Sequence, residues 1–327
     1  MGAFHAYDIR GIYNVDFDKE TAYKVGYFLP GLLGAKEVLV GRDCRTSSQE
    51  IHDYLLKGIT DAGADVYDVG LSRTPMVYFG TANYGFKASV QITASHNPAE
   101  YNGMKVSREN ALPVGLDTGL GQIKQWIDEG RPTPVADVPG RVHERDIRAD
   151  YVAFLKKFKG DYSNLNIAID CSNGMASLYV KQVYGDQPAY IFDTLDGRFP
   201  NHEPNPLIPK NVEPLKELVR KTSADVGVIY DGDADRVMFV DEKARFVAPD
   251  LVIALMAYYF CDERGAKNPR VLQEIRSSKA VGEFLADYGA EMHTWRVGRA
   301  FAAPKLREID GLWGGELAGH YYFKDFF

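Results

Sequence analysis

Val226-Gly227-Val228-Ile229-Tyr230-Asp231-Gly232-Asp233-Ala234-Asp235-Arg236 is the stretch on which the reading of this chain turns. Its first half is a short apolar run suited to a buried strand. Its second half sets carboxylates at alternate positions, where they repel one another unless a cation sits between them. Hard oxygen ligands of this kind suit Mg²⁺, which keeps open positions for phosphate or water. The spacing also imitates a calcium-binding EF-hand loop, with Glu242 at the twelfth position. Arg236, however, stands where that loop needs glycine, and Val237 to Val240 reads as strand, so the EF-hand is rejected. A solvated acidic turn is the plainer alternative; Arg236 and the apolar flanks favour a partly buried loop instead.

The same succession of strand and polar loop occurs on either side. Ala88 to Ile92 runs into Thr93-Ala94-Ser95-His96-Asn97-Pro98, and Leu312 to Gly314 runs towards Glu316. Ligands collect at the carboxyl ends of parallel strands, so three such loops can converge on one cleft. Between them strand and helix alternate. Strands are expected at Val38–Gly41, Ala64–Val69, Asn166–Ile169, Ala189–Phe192, Arg270–Leu272 and Glu291–Thr294. Helices are expected at Ser48–Ala62, Thr74–Tyr84, Val212–Lys221, Asp250–Glu263, Ser277–Tyr288 and Ala300–Ile309. Ser277 is the expected cap of its helix, and Gly265 and Gly289 the expected stops. The fold class is therefore α/β, with three successive α/β domains and mixed, mostly parallel sheets. Polar or Pro-containing stretches at Gly130–Arg145 and Asp241–Pro249 put the domains at 1–143, 144–246 and 247–327, the third incomplete.

The chain has 327 residues and a net charge of −7, too acidic for broad nucleic-acid binding. Cys44, Cys171 and Cys261 are too scattered for a disulfide framework or zinc site and suit a reduced cytoplasm. The apolar run Leu251–Phe260 is too short for a membrane span and reads as a buried helix.

Taken alone, the flanking loops are ambiguous. Thr93 to Pro98 is a turn in its plain reading; in the sharper one Ser95 is a nucleophile, with His96 and Asn97 shaping a phosphate pocket. In Gly314-Gly315-Glu316-Leu317-Ala318-Gly319-His320 the glycines permit close backbone approach, and Glu316 can accept sugar hydroxyls; His320 fits a structural role equally well.

Together and in order, the loops resemble those of the α-D-phosphohexomutases, the phosphoglucomutase and phosphomannomutase superfamily. Tyr7-Asp8-Ile9-Arg10-Gly11, Gly41-Arg42-Asp43, Ser95 to Pro98 with Tyr101-Asn102-Gly103-Met104-Lys105, Asp231 to Arg236, and Glu316 to His320 carry the resemblance across essentially the whole chain. It implies an enzyme that interconverts hexose 1-phosphate and hexose 6-phosphate, of mannose or glucose, through a phosphoserine and a 1,6-bisphosphate intermediate. Ser95 would carry the phosphoryl group, and Asp231, Asp233 and Asp235 with Ser95 would hold Mg²⁺. Arg10, His96, Lys105 and Arg236 would serve the chemistry. Tyr7, Asn97, Arg276, Gly298, Arg299, Glu316, Ala318 and His320 would meet the sugar phosphate. The implied cofactors are Mg²⁺ and glucose or mannose 1,6-bisphosphate; the implied partner is a small phosphosugar, with no nucleic acid and no membrane. Phosphoglucosamine mutase and a truncated, non-catalytic phosphosugar-binding relative are the alternatives.

Three departures qualify the resemblance. His5 replaces a common arginine, Ala318 a serine of the bacterial phosphomannomutases, and Arg299 a common histidine. Relatives also carry a fourth domain whose Arg- and Ser-rich loop grips the non-reacting phosphate. The sequence stops at Phe327 after the apolar run Tyr321–Phe327, which reads as an interrupted strand of a longer protein. Loss of the phosphate grip would weaken substrate affinity and turnover, leaving Ser95 phosphorylation and metal binding intact.

Overall fold

The computed structural model describes residues 2–327 and contains three sheets, each built from one consecutive part of the chain. The first comprises β1 (Ile9–Ile12), β2 (Glu37–Arg42), β3 (Asp65–Leu71), β4 (Ala88–Ile92), β5 (Tyr101–Arg108) and β6 (Val142–Glu144). Its order is β1-β5-β4-β2-β3-β6; β5 runs antiparallel to both its neighbours and the other pairings are parallel. The second comprises β7 (Ile167–Asp170), β8 (Ala189–Ile191), β9 (Val226–Tyr230), β10 (Val237–Asp241) and β11 (Phe246–Val247), ordered β11-β10-β9-β7-β8. The third comprises β12 (Arg270–Glu274), β13 (Glu291–Trp295), β14 (Trp313–Gly315) and β15 (Tyr321–Phe323), ordered β13-β12-β14-β15. Each sheet thus combines parallel pairings with an antiparallel edge, the mixed architecture expected from alternating strands and helices.

The central strands explain why the loops emerge where they do. All of β4 is buried, including Ser89 and Gln91. Those two polar residues survive in the core because Ser89 Oγ accepts from Thr81, while Gln91 accepts from Ser72 Oγ and donates to the Ser72 carbonyl. β9 lies between β7 and β10, so its last residue delivers Asp231 to the carboxyl edge of the second sheet. In the third domain Trp313 is fully buried on β14, donates to the Ile253 carbonyl at 2.9 Å and stacks on Phe260.

Several local expectations need correction. The helix cap is Ser278, which accepts from Ala280 N–H; Ser277 Oγ is buried without a partner. Its neighbour wins because it has the extended backbone a cap requires. The run Leu251–Phe260 is helical but not buried all round: Leu251, Leu255, Tyr258 and Tyr259 face outward, while Ile253, Ala254 and Ala257 face the core. The helix Pro249–Ala257 then widens into a π-turn, Tyr258–Glu263, before Gly265 at φ 72°. Tyr321–Phe323 pairs antiparallel with β14 as the outer strand of the third sheet. Beyond it Phe326 and Phe327 pack 5.0 and 5.5 Å from the Phe154 ring, tying the third domain's end to the helix Arg148–Lys156.

Candidate active site

The carboxyl-end loops of all three sheets border one cleft of about 540 Å³. Tyr7, Arg10, His96, Lys105, Asp235 and Arg236 face it from the first two domains, and Arg276, Gly298, Arg299, Glu316, Ala318 and His320 from the third. Ser95, Asp231 and Asp233 lie beneath its floor, each 1% exposed or less.

Ser95 follows β4 and adopts a left-handed backbone, φ 53°, an uncommon conformation for a residue with a side chain. Its N–H is held by Thr93 Oγ1 at 2.9 Å, and its hydroxyl donates to Asp231 Oδ2 at 2.7 Å. The two loops meet so closely that a Cβ on Gly232 would sit 2.5 Å from the Ser95 carbonyl oxygen, so only glycine fits there. Lys105 Nζ lies 2.6 Å from both Asp233 Oδ2 and Asp235 Oδ2. Burial disfavours its charge, but those carboxylates outweigh it and raise the ammonium pKa. Arg10 pairs with Asp8 and donates to Asn97 Oδ1 at 3.0 Å, so Asn97 orients a cation here. The His96 imidazole is neutral: burial, then the charges of Arg236, Arg10 and Lys105, depress its pKa to about 2. Its Nδ1 stands 3.5 Å from Ser95 Oγ.

On the opposite wall Glu316 is buried, accepting from Gly298 N–H at 2.8 Å through one oxygen and facing His320 Nδ1 at 2.8 Å with the other. His320 Nε2 is 3.2 Å from Asp235 Oδ1. A carboxylate at each ring nitrogen makes His320 an imidazolium: burial opposes the charge, but Asp235 leads the groups that raise its pKa to about 9. The nearby Arg236 Nε, 3.2 Å from Nε2, is then a packed cation and not a hydrogen-bond donor to it. The sugar-type loop and the acidic loop are thereby joined through one ring.

The comparisons with known proteins agree with this geometry. Residues 1–132, 149–244 and 248–327 match phosphoglucomutase/phosphomannomutase α/β/α domains I, II and III respectively. The chain is 33% identical to the phosphomannomutase of Escherichia coli K12 across 100% of its own length and 74% of that protein's. It is also 33% identical to the phosphomannomutase of Methanocaldococcus jannaschii, over 98% of this chain and 72% of the relative. A solved phosphoglucomutase/phosphomannomutase family protein from Burkholderia thailandensis superposes with a TM-score of 0.87 at 27% identity, covering 99% of this chain and 72% of its own.

The chain belongs to the α-D-phosphohexomutase superfamily. It is a hexose phosphate mutase, an isomerase of the intramolecular phosphotransferase kind.

The acidic loop of this mutase fits a divalent cation. Asp231, Asp233 and Asp235 each present a carboxylate oxygen within 4.8 Å of the others, and Asp233 Oδ1 is buried with no hydrogen-bond partner. Such an orphaned acceptor is costly unless a donor or a cation meets it. Burial, then the like charges of Asp233 and Asp235, push the Asp231 carboxyl upward, a tension that a cation would relieve.

Two features of the mutase site went unread in the sequence. Arg45, with a fully buried side chain, donates to the carbonyls of Ser95, Asn97, Pro98 and Tyr101 at 2.5–3.0 Å and pairs with Asp43 at 3.1 Å. It binds the whole nucleophile loop from below. Its only sequence signal was its place two residues after Gly41-Arg42-Asp43. The second concerns Arg299, expected to meet substrate. It lines the cleft, and its guanidinium also donates to the Ala111 carbonyl at 2.8 Å and lies 3.5 Å from the Tyr78 ring centroid, while Arg307 donates to Asn110 O. Helix Arg299–Glu308 is thus latched to the first domain. Arg276 faces the cleft while held by Glu274 in two hydrogen bonds of 2.8 and 2.9 Å.

Proposed function

We propose that this mutase interconverts mannose or glucose 1-phosphate with the 6-phosphate through phosphorylated Ser95, with Mg²⁺ at the acidic loop. One observation carries the reading: the Ser95 hydroxyl, under a cleft walled by cations, donates directly to Asp231 of a carboxylate cluster. Phosphoryl transfer depends on positioning and charge neutralisation more than on covalent assistance from the protein.

In this reading the free hydroxyl of a bound hexose 1-phosphate attacks the phosphorus on Ser95. A bond to that hydroxyl oxygen forms, the bond to Ser95 Oγ breaks, and the hydroxyl proton leaves through the neighbouring polar groups. The bound 1,6-bisphosphate turns over in the cleft, and Ser95 Oγ takes the other phosphoryl group by the reverse step. Arg10, Lys105 and Arg236 offset charge on the moving group. Asp231, Asp233 and Asp235 would hold the divalent cation, which supplies further charge neutralisation at the phosphoryl oxygens. Glu316 and His320, with the Gly298 backbone and Arg276, face where the sugar lies, and Ala318 offers it no hydroxyl. Tyr7 packs edge-on against Phe301 with ring centroids 5.3 Å apart and forms the side of that space.

The cytoplasm is the matching compartment: all three cysteines are free, and no helix among the described residues is long and apolar enough to cross a membrane. The direct test is intact-mass spectrometry after incubation with glucose 1,6-bisphosphate and Mg²⁺. One added phosphoryl group, absent from Ser95→Ala, is expected; no added mass on the unmodified chain overturns the reading. Rates with mannose, glucose and glucosamine 1-phosphates then rank the sugars.

A further inference from the structure

A second cavity, of about 280 Å³, opens behind the acidic loop and shares no lining residue with the cleft. Its wall carries two cations, Arg73 and Lys159, and the tyrosines Tyr162, Tyr179, Tyr184 and Tyr230, with no Asp or Glu among the described residues. In a chain of net charge −7, a cavity with cations and no acid stands out.

The hydrogen-bond inventory points the same way. Arg73 has no carboxylate partner among the described residues; its Nη2 donates to the Ala234 carbonyl at 2.8 Å, and its Nε is buried with no partner. The guanidinium lies 5.7 Å from the Tyr151 ring centroid, and the Tyr151 hydroxyl is likewise buried and unpartnered. The Tyr179 hydroxyl donates only to the Met76 thioether, a weak acceptor. Arg73 is half-buried with its Nε enclosed. A partly desolvated cation without a counter-charge is costly, so a donor-rich, acid-free pocket of this kind favours an acceptor-rich anion. The tyrosine rings, Leu155 and Val183 supply an apolar surface for a short organic body.

We propose that this cavity binds a small phosphate-bearing anion, held by Arg73 and Lys159; Arg73 also borders an adjoining cavity that reaches Asp235, Arg236 and His320 of the cleft. Arg73 places it directly behind Ala234, the residue of φ 56° between Asp233 and Asp235. The bound anion takes the free N–H groups of Arg73, while Lys159, which is exposed, closes over it from the rim.

Tungstate, a phosphate-sized oxyanion located by its anomalous scattering, is the probe. Crystals of the unmodified protein soaked in tungstate should show a peak beside the Arg73 guanidinium in addition to any peak in the cleft. Arg73→Met should lose the first peak and keep the second; Lys159→Gln, an exposed change that spares the core, should weaken the first several-fold. In solution, equilibrium dialysis with inorganic phosphate should count one site fewer in Arg73→Met. Absence of the peak in the unmodified protein overturns the proposal. A peak that survives Arg73→Met marks an adventitious ion only and overturns it equally. If Arg73→Met fails to fold, an unchanged site in Lys159→Gln serves as the refuting result. None of these readouts depends on turnover, so the cleft reading and this one can fail separately.

Discussion

Ser95 Oγ and Asp231 Oδ2, 136 residues apart in the chain, share a hydrogen bond of 2.7 Å in the buried floor of the cleft. The pairing joins the loop after β4 to the loop after β9, and the chemistry of one cannot be altered without the other. Asp231→Asn should keep the fold, because the amide can still accept from Ser95, yet lower phosphoryl transfer by roughly 10²-fold or more, the range seen when one electrostatic group is removed. Single-turnover phosphorylation from glucose 1,6-bisphosphate measures it; a rate equal to the unmodified chain's refutes the role.

Lys105 occupies the space between Asp233 and Asp235. Lys105→Met leaves those carboxylates facing each other in a buried place, so the variant should be less stable without divalent metal. Mg²⁺ should then raise its melting temperature more than it raises that of the unmodified chain, through ordinary binding linkage. Thermal melts with Mg²⁺ or with EDTA decide; equal shifts in the two proteins would count against the assignment.

Arg45 holds four backbone carbonyls of the nucleophile loop with no exposed surface of its own. Arg45→Ala strands Asp43 and those acceptors, a loss of about 3–5 kcal/mol by analogy with breaking other buried ion pairs. Arg45→Lys should recover only part of this, since one ammonium cannot reach a fork of acceptors. Denaturant titration of both variants gives the values, and a change below about 1 kcal/mol for the alanine variant would mean the loop holds itself.

Arg299 and Arg307 tie the third domain to Ala111 and Asn110 of the first. Arg307→Ala, away from the cleft, should loosen the latch, raising KM for the sugar phosphate by a few-fold with kcat less affected. Steady-state kinetics on both parameters separates this from a general loss of folded protein, which lowers kcat alone.

His202 supplies the pH prediction. Its side chain is 5% exposed and lies 3.1 Å from Asp170 Oδ2, with the Glu203 carbonyl 2.8 Å from the other nitrogen. Burial disfavours the imidazolium, but Asp170 and that carbonyl outweigh it, and the pKa is raised above 6.5. A raised folded-state pKa contributes stability that is fully present below the unfolded value and is lost as pH rises through the folded one. His202→Gln should therefore cost more stability at about pH 6 than at about pH 9. Chemical denaturation at both values tests the sign.

The strands at the sheet centres were readable because burial leaves them without charge and rich in apolar residues: Val226–Tyr230 is apolar throughout but for its tyrosine hydroxyl, and in Ala88–Ile92 only Ser89 and Gln91 interrupt the apolar positions. Less was readable where a strand mixes chemistry with pairing. β5, Tyr101 to Arg108, carries Asn102, Gly103 and Lys105 and resembles a motif more than a strand; only pairing with β1 and β4 makes it one. Val142–Glu144 lies in a polar, Pro-containing stretch and joins the first sheet as its edge strand beside β3. The helix Lys19–Leu33 was missed although Asp18 caps it and Gly34 ends it in the left-handed region.

The order of the loops, the carboxylates at alternate positions and the nucleophile after a buried strand were all present in the amino-acid sequence, because they depend on local spacing and strand burial. The tertiary structure alone decided which polar groups meet: that the Ser95 hydroxyl donates a hydrogen bond to Asp231, that Lys105 lies between Asp233 and Asp235, that Asn97 orients Arg10, and that Arg299 grips the first domain. Those pairings span up to 188 residues of chain. They follow from how three separately formed sheets pack around one cleft, where low polarity makes each ionic contact strong and each unpaired group costly, and no local pattern encodes that packing.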